Sequence, residues 1–530
     1  MSQTNTWFEK IDKTKLFFSF LTFVIVTAYG YACFHPTVNI DILAGNLYLG
    51  DGKGCLHEGR FGAALVFYLF GIRDSFDPIR TQVLYILNVF LLLIGAFLFA
   101  DIICKKMKTK KPYSRELFVL IFVSFPLISE IWFYPTGLLI GIGYITVALT
   151  LLCVERAKQK KMYYAYALLL TVLIVSGYES FTVVLVFAVM FLAWWDCLEK
   201  PINLRTIVGK YYHYVLLLVS ALVIKKIITQ IIHMVVPNHN IGGGATSIAW
   251  LENNTLAVIR ELLFRWVHDY LLRAILYIPV AEYTIAMVVF VVLVLYKSRT
   301  CLARVIGLLA VGSCESLAII QGISTPYRAR QVAAVMIAVV AVLLYEEINK
   351  NTLILVLLNL MVVINALYLG HTMATNVWRS QEEMQVCCNI GKDIKNTVTD
   401  DKPVIFVGDY HFSKIVEENI SIPKESWRWQ AYARIYSIFK HESYEMVRDT
   451  LSRKIGYTDV NSVINWAKNS FNYQEMMGEM LAYYGYDYNY ATSDDYDKVK
   501  GDYNDKPCYP ESGYIYSEKD CYVVNLGPLN

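Results

Sequence analysis

The sequence has no CxxC pair, and its eleven cysteines show none of the ligand spacing of a zinc site. Most of them sit inside apolar blocks, where cysteine behaves as a small hydrophobe. No Walker or Rossmann glycine pattern is present, so a nucleotide-binding loop is excluded. Asp494, Asp495 and Asp497 lack the spacing of a calcium loop, and an acidic surface loop is expected there. No internal repeat is visible. A cleavable leader is not expected, because the first apolar run is long and lacks a small-residue cleavage site. Charged residues make up only 18% of the chain, and the net charge of +3 says less than where those charges fall. Nothing points to a nucleic-acid partner.

What the chain has in abundance is apolar sequence. Of 530 residues, 56% are hydrophobic, and the mean hydropathy is +0.41. That is too apolar for a soluble protein, and the apolar residues come in blocks. A bilayer core takes roughly 20 apolar residues per helix, and backbone in lipid must satisfy its own hydrogen bonds, so such blocks are helices. About eleven spans are predicted, at 16–34, 82–103, 117–133, 137–154, 163–175, 181–195, 212–236, 278–296, 305–320, 332–345 and 353–369. The short loops rich in Lys and Arg (105–111, 156–161, 200–210 and 297–304) all fall on one side of this arrangement. Short basic loops stay in the cytoplasm. The N-terminus is therefore expected inside, with the 35–62 loop and the tail outside.

Residues 61–72 are apolar but short for a span, and a helix at the interface is expected. A long outer segment, 237–277, carries an amphipathic stretch near 256–272. From about Gly370 the composition turns polar and Tyr-rich. Residues 402–410 read as a buried strand, 427–455 have helical spacing, and 513–526 read as a hairpin around 517–520. The predicted organisation is a multi-span domain, 1–370, and a small extracytoplasmic α/β domain, 371–530. Cys508 and Cys521 in the tail are compatible with a disulfide or with two thiols.

Polar groups at membrane depth are the functional candidates. A charge at the centre of a spanning helix costs roughly 2.5–3.5 kcal/mol on insertion scales, so such residues face a cavity or a partner. Asp41, Glu130, Glu179, Lys225 or Lys226, Arg328 and Arg330 all map to the outer half. Asp41 reads either as a base for a hydroxyl or as a solvated acid at a helix end. Glu130 also suits a structural ion pair, Glu179 a helix cap, and one of Lys225 and Lys226 a snorkelling side chain. Glu315, in mid-span, suits a structural partner as well as a functional role.

Several short motifs carry a resemblance. An acid follows the first span (Asn39-Ile40-Asp41), and Gly59-Arg60-Phe61-Gly62 opens the next apolar stretch. A short span pair turns at Gly177-Tyr178-Glu179-Ser180, and Tyr327-Arg328-Ala329-Arg330-Gln331 lies outside. The tail adds Val404-Ile405-Phe406-Val407-Gly408 and a late Ser512-Gly513-Tyr514-Ile515 segment. Together these resemble the GtrII-type bacterial membrane glucosyltransferases of the GT-C class. That family often shows two adjacent acids in the first loop and a Tyr-Gln turn; here the first acid position is Ile40 and the turn has Glu179.

The resemblance implies transfer of a sugar, glucosyl above all, from a polyprenyl-phosphate donor to a cell-surface glycan or lipid-linked acceptor at the outer face of the bacterial plasma membrane. A donor synthase and a flippase would be its partners. Asp41 is then the catalytic base. Arg328, Arg330, Lys225 and Lys226 are candidates for the donor phosphate. Glu58, Arg60, Glu130, Tyr178 and Glu179 are candidates for holding sugar or acceptor, with an ion pair to Asp41 as the other role for Arg60. The class admits a divalent metal, but no residue pattern here demands one. A transporter or flippase of lipid-linked saccharide is the competing reading, and a polysaccharide polymerase a third. Against a transporter stand the missing repeat and the gathering of charge at one face.

Overall fold

The structure is a computed structural model that describes residues 13–38, 53–71, 77–133, 137–200, 202–235, 249–323, 325–348, 351–420, 422–450, 473–491 and 505–528, with isolated positions between. Asp41 and the first-loop segment around it lie outside the described residues, as does part of the acidic loop. The helices, in chain order, are α1 Lys13–Phe34, α2 Lys53–His57, α3 Phe61–Leu69, α4 Pro78–Met107, α5 Ser114–Ser124, α6 Leu138–Ala157, α7 Tyr163–Gly177, α8 Ser180–Glu199 and α9 Leu204–Val235. They continue with α10 Thr255–Trp266, α11 Ile278–Lys297, α12 Cys301–Ser313, α13 Ser316–Gln321, α14 Val332–Glu347 and α15 Asn351–Thr397.

Among the described residues, seven helices are long and apolar enough to cross a membrane: α1, α4, α6, α8, α9, α11 and α15. The chain is thus a polytopic helical membrane protein. The four other predicted stretches form shorter helices, for reasons visible in the sequence. Residues 117–133 break at Phe125-Pro126, because proline has no N–H to continue the ladder; α5 stops at Ser124 and a 3-10 turn, Pro126–Ile131, follows. Residues 305–320 break at Cys314-Glu315 between α12 and α13, where the buried Glu315 carboxylate turns to partners outside its own helix. α7 has 15 residues and α14 has 16.

The innermost helices are among the short ones. α14 is apolar on every side and buried along nearly its whole length, as is α5, which packs against it. A helix apolar all round belongs in a core. α4, α6, α8, α11 and α12 wrap this centre, while α7 joins α6 to α9. α9 is the outermost, with Leu216, Val219, Val223 and Ile227 exposed.

One end of the bundle gathers the basic loops. Glu346 accepts from the backbone of Lys110 and Lys111, Lys106 and Lys210 both bond Asp196, and Lys297 pairs with Glu347. The opposite end holds the α7–α8 turn and the start of α14.

The composition change at Gly370 is not a break in the chain. The 47-residue α15 runs through it to Thr397, and a Cβ at Gly370 would lie 2.2 Å from the Thr27 carbonyl oxygen of α1. The second half of α15 instead supports a three-stranded sheet: β1 Val404–Val407, β2 Ile515–Ser517 and β3 Tyr522–Asn525. The order is β1-β3-β2, with β1 parallel and β2 antiparallel to β3. Gln474 closes the free edge of β1, accepting from Phe406 N and donating to Phe406 O, both at 2.8 Å. Phe406, Val524, Met476 and Met477 pack on Ile390 and Ile394 of α15. The 427–455 stretch forms two helices, Trp427–Lys440 and Tyr444–Thr450, and its last residues lie outside the described ones. Cys508 and Cys521 are both free thiols.

Candidate functional site

The Gly59-Arg60-Phe61-Gly62 motif is built to dock against the α7–α8 turn. Gly59 takes φ +71°, the left-handed region that favours glycine. A Cβ there would also meet Thr229 Oγ1 of α9 at 2.7 Å. Gly62, in the first turn of α3, lies against the end of α7: a Cβ would come 2.5 Å from Ser176 Oγ and 3.0 Å from Gly177 N. The two glycines therefore let one short segment touch α9 on one side and α7 on the other. Arg60 sits between them.

That docking aims the Arg60 guanidinium at Glu179, with Nε 3.3 Å from Oε2, while Nη1 pairs with Glu58 at 2.8 Å. Lys225 of α9 reaches Glu179 from the other side, with Nζ 3.0 Å from Oε1. Two carboxylates and two cations from three segments thus form one chain, Glu58–Arg60–Glu179–Lys225. All four are partly buried. Glu179 stands at the N-cap position of α8 but makes no side-chain capping bond; its carboxylate is taken by the two cations. Of the two roles open to Glu179, the helix cap is the one its side chain does not make. Lys226 is on the exposed side of α9.

Tyr178 extends the site towards the 327–331 motif. Its hydroxyl donates to the Arg328 carbonyl at 3.4 Å, and Gln331 Nε2 donates to the same oxygen at 2.8 Å. Tyr144 in turn donates to the Gln331 carbonyl at 2.7 Å. Arg328 sits in a 3-10 turn, Tyr327–Ala329, packed on the Pro126–Ile131 turn that contains Glu130. The Arg328 side chain is half-buried.

Arg330, two residues on, occupies a different environment. Its side chain is 1% exposed; Nη2 pairs with Asp269 at 3.0 Å and Nε lies 3.8 Å from Glu315. The guanidinium stacks between the rings of Tyr270 and Tyr327, at 4.8 and 4.6 Å. Tyr270 also donates to Glu315. Two carboxylates and two rings thus surround this cation inside the protein. The tail reaches this network: Tyr432 of the Trp427–Lys440 helix bonds His268 Nε2 at 3.0 Å, and Arg428 Nε donates to Ile275 O at 2.9 Å. The tail therefore docks at the same end of the bundle as the ion-pair chain.

Over residues 30–345, more than half of the chain, the sequence matches the family model of Glucosyl transferase GtrII. The chain belongs to the GtrII glucosyltransferase family. Comparison with curated proteins and with solved structures found no match. The matched region contains α3, the α7–α8 turn, Lys225 and the 327–331 motif, so the family span includes every element of the ion-pair chain. Membership supports glycosyltransferase activity in this membrane protein.

The structure thus brings together Glu58, Arg60, Tyr178, Glu179, Lys225 and the backbone of Arg328, and sets Arg330 and Lys226 apart. Sequence reasoning missed Asp269 and Tyr270. They lie in a π-helical turn, Val267–Leu272, at the end of α10. Asp269 stands seven residues after Leu262 and eleven after Val258, so it continues the buried face of α10 into the interior. The only sequence signal was an acid late in an apolar-faced helix. Among the described residues, no group of three His, Cys, Asp or Glu side chains is arranged to hold a metal ion.

Proposed function

We propose that the GtrII protein transfers a glucosyl group from a polyprenyl-phosphate donor to a cell-surface glycan or lipid-linked acceptor, at the outer face of the plasma membrane. The observation that carries this reading is the docked motif pair. The first outer motif and the α7–α8 turn form a single charge-balanced cluster, and that cluster adjoins the Arg328 turn. A sugar presents hydroxyls, which carboxylates with fixed orientation accept well. Glu58 and Glu179, each held by Arg60, are suited to that task. A carboxylate already bonded to two cations is a poor base, so Glu179 serves as a positioning group.

Asp41 is our base for the acceptor hydroxyl. Charge develops on the donor phosphate as the glycosidic bond breaks. A guanidinium matches that phosphate with two parallel N–H donors. Arg328 is our candidate, since it shares a turn with the cluster through Tyr178. Lys225 contributes positive potential beside it, and Glu130, in the neighbouring turn, remains a candidate for the acceptor or for a structural pair. Arg330, between Asp269 and Glu315, holds the 327–331 motif in place. The tail helix against the 267–276 segment positions the acceptor or caps the site.

The test is transfer by the purified full-length protein in detergent. Polyprenyl-phosphate glucose is expected to support transfer to a membrane glycan extract, and UDP-glucose is not. Transfer from UDP-glucose alone would overturn the donor assignment.

A further inference from the structure

At the end of the bundle far from the ion-pair chain lies a cavity of about 410 Å³ between α4, α6, α8 and α9. Its floor is apolar, formed by Leu98, Ile102 and Leu151, and five lysines stand around its mouth: Lys105, Lys106, Lys108, Lys158 and Lys210. Lys106 and Lys210 share a single carboxylate, Asp196, which also accepts from Tyr211 at 2.7 Å. One positive charge of that pair is therefore left over. Lys108 is balanced by Glu199 at 2.9 Å, and Asp101 is already taken by Arg115. Lys105 and Lys158 make no ion pair among the described residues. Glu155 is the remaining carboxylate of the lining.

We propose that this cavity binds the phosphate headgroup of an anionic membrane lipid. A basic pocket between spanning helices has the chemistry of such sites, and lysine meets phosphate as a mobile point charge. The apolar floor decides between a lipid and a soluble anion. An inorganic phosphate has no use for Leu98 and Leu151, whereas a lipid carries glycerol and acyl carbons with its phosphate. The exposed apolar face of α9, with Leu216, Val219 and Val223, runs from Lys210 into the membrane and offers a track for the chains. Tyr211 and Tyr214, at the cavity wall, are of the type that sits at headgroup level.

The experiment is native mass spectrometry of the full-length protein in non-ionic detergent, titrated with phosphatidylglycerol or with phosphatidylcholine of the same chains. Phosphatidylglycerol is expected to bind about tenfold more tightly, and one copy to survive gentle activation. The Lys105→Ala/Lys158→Ala protein loses roughly fivefold per lysine, about 25-fold together. Lys160→Ala/Lys161→Ala removes the same charge from the neighbouring loop, outside the cavity wall, and leaves the affinity near wild type. All four lysines are exposed, so folding is preserved. Equal binding of the two lipids, equal losses in both double variants, or displacement by millimolar inorganic phosphate would each overturn the proposal; the last would assign the cavity to a soluble anion.

Discussion

Replacing Gly62 with alanine perturbs the docking of α3 without touching any charged group. The new Cβ would sit 2.5 Å from Ser176 Oγ and 3.0 Å from both Gly177 N and Ser176 C. Ser176 Oγ can rotate away, although it now donates to Val172 O at 2.7 Å. The backbone atoms cannot, so α3 must withdraw from α7 by several tenths of an ångström. Overpacking of this kind costs about 1–3 kcal/mol. A misplacement near 1 Å can cost about a hundredfold in rate, so a shift of this size is expected to lower transfer about tenfold by lengthening Arg60–Glu179. The assay is sugar transfer by membranes containing matched amounts of each protein. Ser176→Ala in the Gly62→Ala background removes one contact and leaves two, so it restores part of the activity and not all. Transfer by Gly62→Ala within twofold of wild type would refute the reasoning, as would full rescue by Ser176→Ala.

Further outcomes follow from the same geometry. A double-mutant cycle on Glu179→Gln and Lys225→Met should give a coupling of about 1 kcal/mol in chemical or thermal unfolding, modest because both groups are partly exposed. Arg330→Met leaves Asp269 and Glu315 buried without their cation, at a cost of about 3–5 kcal/mol, and should be detected as lost folded protein by size-exclusion chromatography. Arg328→Ala, two residues away and half-buried, should lower transfer while the folded protein still elutes like wild type. Asp77 caps α4, accepting from Arg80 N and Ile79 N, and those bonds hold its carboxyl below the usual range. Its folded value is depressed, so its stabilisation is present above the ordinary carboxylate pKa of about 4 and fades as pH falls through the folded value. Asp77→Ala should therefore melt lower than wild type at neutral pH, with the gap closing in acid.

How much was legible in the sequence depended on the kind of signal. Apolar runs and basic loops marked the seven spanning helices and the clustering of Lys106, Lys111, Lys210 and Lys297 at one end. The Gly-Arg-x-Gly spacing and the Tyr178-Glu179 turn named the residues that form the ion-pair chain. Their mutual contact was not legible, because it joins positions 119 residues apart through side chains that immediately precede α3 and α8. Arg330 looked equivalent to Arg328 in sequence; a 3-10 turn sends the two side chains to different surroundings. The continuation of α15 past Gly370 was hidden because a helix leaving an apolar environment changes composition without changing conformation. Asp269 shares the face of Val258 and Leu262, but an acid on an apolar face does not name the distant cation, Arg330, that it pairs with.

The most direct test of the central claim is the surface-glycan composition of a strain lacking this gene, complemented with wild type, with Glu179→Gln or with Asp41→Asn at matched membrane levels. The account predicts that the deletion loses a side-chain glucose, that wild type restores it, and that Asp41→Asn does not, with Glu179→Gln restoring only part. Full restoration by Asp41→Asn would remove it as the base, and an unchanged glycan in the deletion would contradict glucosyl transfer itself.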